Sequence, residues 1–133
     1  MKSKVIILFL AAGLMITGFT LNQEKKPWLV PDAAKAKKNT VASNAQSIAD
    51  GKELWSTHCK SCHGTKGLGD GPKAAQLKTE AGDLSKAVCQ SQTDGALFYK
   101  ISEGRVDMPS FKKKIPDADD MWNVVNFLRT LKK

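Results

Sequence analysis

Cysteine and histidine are scarce in this chain, which has three cysteines and two histidines among its 133 residues. Three cysteines cannot close a disulfide framework, so a disulfide-stapled scaffold is excluded. A structural zinc site needs four protein ligands, usually supplied as two pairs, and only one Cys-x-x-Cys pair is present. A Cys3His zinc site is therefore possible by count alone, without the paired motif that such sites normally show.

Several other features are missing as well. The chain has no convincing pair of strands, no internal repeat and no low-complexity tract, and we predict an all-α fold. A thioredoxin-like redox motif would need a strand before it and a βαβ frame, whereas residues 47–59 show helical spacing. The formal charge is +8, but no aromatic-interleaved basic patch or nucleic-acid fold motif accompanies it, and we expect no nucleic-acid partner.

What the chain does have is the stretch Cys59-Lys60-Ser61-Cys62-His63. Two cysteines two residues apart, followed at once by histidine, form the attachment signature of a c-type haem. Each thiol would add across one haem vinyl group, and one turn of backbone brings both sulfurs to the same edge of the macrocycle. The neutral imidazole of His63 is then placed to bind the iron. The motif predicts one haem c bound through Cys59 and Cys62.

The N-terminal segment predicts export. Lys2 and Lys4 precede an uncharged run over residues 5–21, which is the pattern of a signal peptide. The run lacks a clear A-x-A cleavage site and is just long enough to span a bilayer, so cleavage and retention as a membrane tether both stay open. We divide the chain into a signal peptide or anchor (1–21), a lysine-rich linker or arm (22–46) and the main domain (47–133).

Helical spacing places three helices in the main domain. We expect the first to begin at an N-cap Ser47 and to end in the haem motif, with Gly51 allowing close approach of another helix. A short helix is expected from about Asp94 to Ser102. The last helix should begin after the N-cap Asp117 and present an apolar face.

Haem iron has a second axial position, and the candidates for it are few. Met1 and Met15 belong to the export segment, and His58 adjoins the motif and cannot reach the opposite face. Met121 lies on the apolar face of the last helix, where core packing is the simpler explanation. Met108 precedes a proline on a loop after a helix, and we predict that it is the distal ligand.

These residues, together with the Gly69-Asp70-Gly71-Pro72 loop and the helix over 121–131, resemble small bacterial monohaem cytochromes c of class I. The resemblance covers about residues 47–133. It implies a few helices wrapped around one covalent haem, with the N- and C-terminal helices crossing so that Gly51 and Trp55 meet the last helix. It also implies that the Pro72 carbonyl accepts a hydrogen bond from the His63 ring. Nothing functional is implied for Cys89, whose simplest role is that of a small buried side chain.

The function predicted by the motif and the resemblance is that of a periplasmic one-electron carrier with His63 and Met108 as axial ligands, and not an enzyme. We expect a monomer, periplasmic or tethered to the inner membrane, that meets redox partner proteins. Lys112, Lys113 and Lys114 are either part of the docking rim or simply a solvated charged loop. Two alternatives stay open: a haem subunit of a membrane or periplasmic oxidoreductase complex, and a haem-based gas sensor.

Overall fold

The computed structural model describes residues 27–133, and the predicted export segment lies outside them. Within this part of the chain the fold is helical, and the all-α prediction is confirmed. The helices are α1 (Asp32–Lys35), α2 (Ala45–His58), α3 (Lys60–His63), α4 (Ala87–Gln90), α5 (Asp94–Glu103) and α6 (Ala118–Thr130), with a 3₁₀ turn at Ala74–Gln76.

The first long helix begins three residues earlier than the sequence suggested. Asn44, not Ser47, is the N-cap of α2, because its side chain accepts a hydrogen bond from the Ser47 backbone N–H at 2.9 Å. The Ser47 hydroxyl in turn accepts from the Asn44 backbone N–H at 3.2 Å. This reciprocal pair is a capping box with serine in place of the usual glutamate, which is why the pattern was missed.

Helices α2 and α6 cross at Gly51, as the sequence predicted. A β-carbon at Gly51 would collide with the backbone carbonyl of Asn123 and lie 3.0 Å from the Phe127 β-carbon. Four residues further along α2, the ring of Trp55 lies 5.7 Å from that of Phe127. Absence of a side chain at Gly51 therefore lets the backbones touch and brings α2, and the motif at its end, against α6.

The core forms around α6, whose residues 121–128 are all buried. Trp122 is 1% exposed, and its ring packs 4.3 Å from the Phe98 ring on α5. Asp117 caps the helix by accepting from the Asp119 backbone N–H at 2.9 Å, as predicted. Helix α6 is thus the central element on which both α2 and α5 pack.

The arm over residues 27–46 lies on the surface of the main domain. Its short helix α1 packs on α5, where the Thr93 hydroxyl donates to the Lys35 carbonyl at 2.8 Å. A side chain at Gly95 would collide with the Ala34 carbonyl, so the glycine allows α1 to sit directly on the start of α5.

Asn126 on α6 fastens the other end of the arm. Its amide nitrogen donates to the Val41 carbonyl and to the Ser47 hydroxyl, both at 3.2 Å. Its amide oxygen accepts from the Asn39 side chain at 2.8 Å. Because Asn126 is buried, these bonds satisfy its polar groups and fix the path of the arm into α2.

Among residues 27–133, no helix has the length and apolar character needed to cross a membrane.

Candidate haem site

The backbone carries the Cys59–His63 motif on one helical turn. Helix α2 ends at His58, and α3 follows directly over Lys60–His63. The backbone N–H groups of Cys62 and His63 both donate to the Cys59 carbonyl, at 3.2 and 3.0 Å. Residues three and four apart on such a turn share a face, so the two thiols and the imidazole are presented together.

The two cysteines of the motif have different surroundings. Cys59 is buried in the core and Cys62 is half-buried. Burial, with a smaller contribution from Cys62, raises the pKa of Cys59 to about 12. A catalytic redox dithiol needs a lowered thiol pKa, so the surroundings of Cys59 argue against thioredoxin-like chemistry.

The His63 side chain lies in an apolar setting beside Trp55, with ring centroids 5.7 Å apart. Burial lowers the pKa of His63 below its usual value, and the nearby Ala81 carbonyl offsets part of this effect. The imidazole is therefore neutral at pH 7, as an iron ligand must be. Its Nδ1 is buried and has no hydrogen-bond partner within the described part of the chain. A neutral ring with an unpaired buried nitrogen, next to two thiols, fits a c-type haem.

The glycine loop after the motif folds back onto it. Trp55 Nε1 donates to the Gly64 carbonyl at 3.1 Å, and the Gly71 N–H donates to the Cys62 carbonyl at 3.2 Å. A β-carbon at Gly71 would lie 2.5 Å from the Ser61 carbonyl oxygen, so only glycine fits there. Pro72 follows directly and is exposed. The carbonyl beside the His63 ring is that of Ala81, and the role of Pro72 stays a prediction.

Met108 ends a tight turn after α5. The Arg105 N–H donates to the Met108 carbonyl at 2.8 Å, and the Met108 N–H donates to the Arg105 carbonyl at 3.0 Å. Val106 in this turn has a φ of +53°, unusual for a β-branched residue. The Met108 side chain is partly buried and packs against the same core as Cys59. The structure thus brings the predicted distal residue and the motif to one core.

Three residues to which the sequence gave no role at the haem pack within the domain: Met121, His58 and Cys89. Met121 is 4% exposed within the core of α6, and His58 packs its ring 6.0 Å from the Phe111 ring. Cys89 is also buried, and burial raises the pKa of its thiol. Within residues 27–133, no group of three or more His, Cys, Asp or Glu side chains is arranged to hold a metal ion.

The three lysines after Met108 are all exposed, but their contacts differ. Lys112 forms an ion pair with Glu103 at 2.7 Å, and the Lys114 ammonium lies 5.7 Å from the Phe111 ring centroid. Two of the three lysines therefore contact other side chains of the domain.

Sequence reasoning missed two residues that hold the site. Asp107 Oδ2 accepts from the Thr79 hydroxyl at 3.1 Å and from its backbone N–H at 2.9 Å, and Ala81 lies beside the His63 ring. Thr79 and Ala81 are both distant in sequence from their partners, Asp107 and His63. Asp107 stands next to Met108, which is the one signal that could have drawn attention to it.

Comparisons with known proteins identify the family and the fold. A family model described as Cytochrome c matches residues 48–132. A chain of the Kuenenia stuttgartiensis reducing HAO-like protein complex Kustc0457/Kustc0458 shares the fold, with a TM-score of 0.62 and 21% identity over 70% of this chain. The present chain spans 47% of that chain's length. The KustC0563 c-type cytochrome is 29% identical, with a TM-score of 0.56, and the match covers 63% of this chain and 99% of that one. No curated protein sequence is significantly similar.

Proposed function

The chain belongs to the cytochrome c family, and we propose that it is an exported one-electron carrier with a single haem c. Its fold is that of a class I, monohaem-type cytochrome c. Membership of the family also establishes haem-based electron transfer and iron binding as its general chemistry. The proposal adds the ligand set, the location and the role as a carrier.

One observation carries the proposal: a single helical turn presents two thiols and a neutral imidazole next to the core. Cys59 and Cys62 would hold the haem through thioether bonds, and His63 would bind the iron on the proximal side. When bound, the haem supplies the redox chemistry by cycling between ferric and ferrous iron. The chain's own contribution is to fix the ligands, and the buried ring of Trp55 packs against that of His63.

Met108 is the distal ligand in this proposal. Its turn follows α5 and is closed by two backbone hydrogen bonds to Arg105, so the backbone that carries the thioether is held in place. A thioether ligand favours ferrous iron and raises the reduction potential relative to a second histidine. With both His63 and Met108 bound, the iron would have no open position, which favours electron transfer over gas sensing.

The ligand assignment is tested by absorbance of the oxidised protein. A weak sulfur-to-iron band in the red should be present in the wild type, vanish in Met108→Ala and survive in Met121→Leu, a matched change that keeps the core volume. Loss of the band in Met121→Leu and its survival in Met108→Ala would reverse the assignment. The native mass reports covalent haem and the mature N-terminus together, and a mass without haem would overturn the proposal.

Docking of redox partners would use the basic rim that includes Lys113 and Lys114, both exposed. If these lysines steer encounter, charge reversal of both should slow electron transfer most at low ionic strength. Reversal of two other exposed lysines, Lys38 on the arm and Lys52 on α2, is the control matched in charge. An unchanged salt dependence in the Lys113 and Lys114 variant would remove the steering role.

A second candidate is a haem subunit of a periplasmic or membrane oxidoreductase complex. The observation that favours it is the shared fold with one chain of a protein complex. Stable co-purification of a catalytic chain with the native protein would support this candidate, whereas a freely diffusing monomer would support the carrier.

A further inference from the structure

The arm places an aromatic ring next to two cations of the main domain. The Lys100 ammonium and the Arg105 guanidinium each lie 5.3 Å from the centroid of the Trp28 ring. Trp28 is half-buried, and a cation at this distance over an indole face is attracted by its quadrupole. Lys100 is held in place by a hydrogen bond of 2.6 Å to the Gln92 side chain.

Arg105 is also the first residue of the turn that ends at Met108. The two residues exchange both backbone hydrogen bonds, at 2.8 and 3.0 Å, so a shift of the Arg105 backbone moves the Met108 backbone with it. Arg105 therefore links Trp28 to Met108, the predicted distal ligand.

The arm is anchored well enough to act as a restraint. Val30, two residues after Trp28, is buried, and the Thr93 hydroxyl ties α1 to α5 at 2.8 Å. Further along, Asn39 bonds to the buried Asn126 at 2.8 Å. A ring fixed to such a segment limits the movement of the cation beside it.

We propose that Trp28 is a positioning residue for the distal ligand, which it holds by clamping the Arg105–Met108 turn through Arg105. The inference rests on the proposed function, in which Met108 binds the iron. Loosening of the clamp allows the turn to open, so that the thioether leaves the iron more often and an added ligand competes more successfully for the distal position.

The test uses the full haem-loaded chain in four forms. Trp28→Leu keeps apolar bulk but removes the aromatic face, and Trp28→Phe keeps a ring. Leu29→Ala is the matched control, because the neighbouring side chain is 83% exposed. The readouts are the amide hydrogen exchange of Arg105 and Met108 and the dissociation constant of imidazole, followed by loss of the sulfur-to-iron band.

Trp28→Leu should exchange both amides about fivefold faster and bind imidazole about fivefold more tightly than the wild type, as expected for one cation contact. Trp28→Phe should keep the amide exchange rates and the imidazole affinity close to those of the wild type. Leu29→Ala should match the wild type in both. Unchanged amide exchange in Trp28→Leu would overturn the clamp, as would an equal acceleration in Leu29→Ala. A wild-type spectrum without the sulfur band would instead overturn the proposed Met108 ligation, while amide exchange would still decide the Trp28 contact.

Discussion

Thr79 donates two hydrogen bonds to a single oxygen of Asp107. Its backbone N–H and its hydroxyl lie 2.9 and 3.1 Å from Asp107 Oδ2. Asp107 immediately precedes Met108, so this pair ties the 79–81 loop to the turn that carries the predicted distal ligand. The same loop places the Ala81 carbonyl beside the ring of His63. One surface loop thus contacts both His63, the predicted proximal ligand, and the turn of Met108, the predicted distal ligand.

Replacement of Asp107 by alanine should lower the free energy of unfolding by about 1 kcal/mol, because two hydrogen bonds to a carboxylate are lost at a partly exposed site. Urea denaturation of the haem-loaded protein measures the change. Asp32→Ala, which alters a carboxylate of 97% side-chain exposure, should leave the urea midpoint where it is. Equal midpoints for the wild type and Asp107→Ala would show that the pair contributes nothing.

Gly51→Ala should destabilise the fold by about 2–3 kcal/mol, because the added methyl group forces α2 away from the Asn123 carbonyl on α6. Gly82→Ala is the useful contrast, since Gly82 has a φ of +71° but open space around it. That change should cost only about 1 kcal/mol, from backbone conformation alone. Thermal unfolding of both variants separates the two effects, and similar losses would contradict a steric role for Gly51.

Val106→Asn should raise the free energy of unfolding by about 0.5–1 kcal/mol, because asparagine tolerates the left-handed conformation that valine adopts at a φ of +53°. Little packing is lost, since Val106 is 68% exposed. Val88→Asn alters a valine of similar exposure, 76%, within helix α4, and it should bring no gain. Denaturant midpoints of the two variants give the comparison. A gain in stability in Val88→Asn, or no gain in Val106→Asn, would show that the backbone conformation of Val106 carries no strain.

Arg129→Lys should cost about 1–3 kcal/mol, although the positive charge is kept. The Arg129 guanidinium donates to the Asp94 carboxylate at 2.7 and 2.9 Å and to the carbonyls of Gln90 and Gln92 at 2.9 and 2.6 Å. A lysine ammonium cannot reach all of these acceptors from one position. Lys132→Ala, at an exposed position, should change stability by less than about 0.5 kcal/mol. If Arg129→Lys is as stable as the wild type, the guanidinium hydrogen bonds contribute no more than an exposed ion pair does.

The local elements were predictable because their signals lie within a few residues of one another. Asp117 stands next to the helix that it caps, and the helical spacing that predicts α5 lies within the ten residues of that helix. The start of α2 was misplaced by three residues, since Asn44 and Ser47 are both good N-cap residues and only their reciprocal hydrogen bonds decide between them. The short helices α1, α3 and α4 went unpredicted because four residues are too few to show a helical period.

The sequence by itself determined the chemistry offered by Cys59, Cys62 and His63, because thioether attachment depends on covalent spacing within one turn. It also predicted a close approach of another helix at Gly51, because glycine inside a helix costs stability relative to alanine. Only the tertiary structure decided that Thr79 binds the turn of Met108, that Arg129 bonds to residues of α4 and α5, and that Trp28 lies beside Arg105. Those partners are 28 to 77 residues apart, and no local period in a sequence records which distant side chains the packing of helices will bring together.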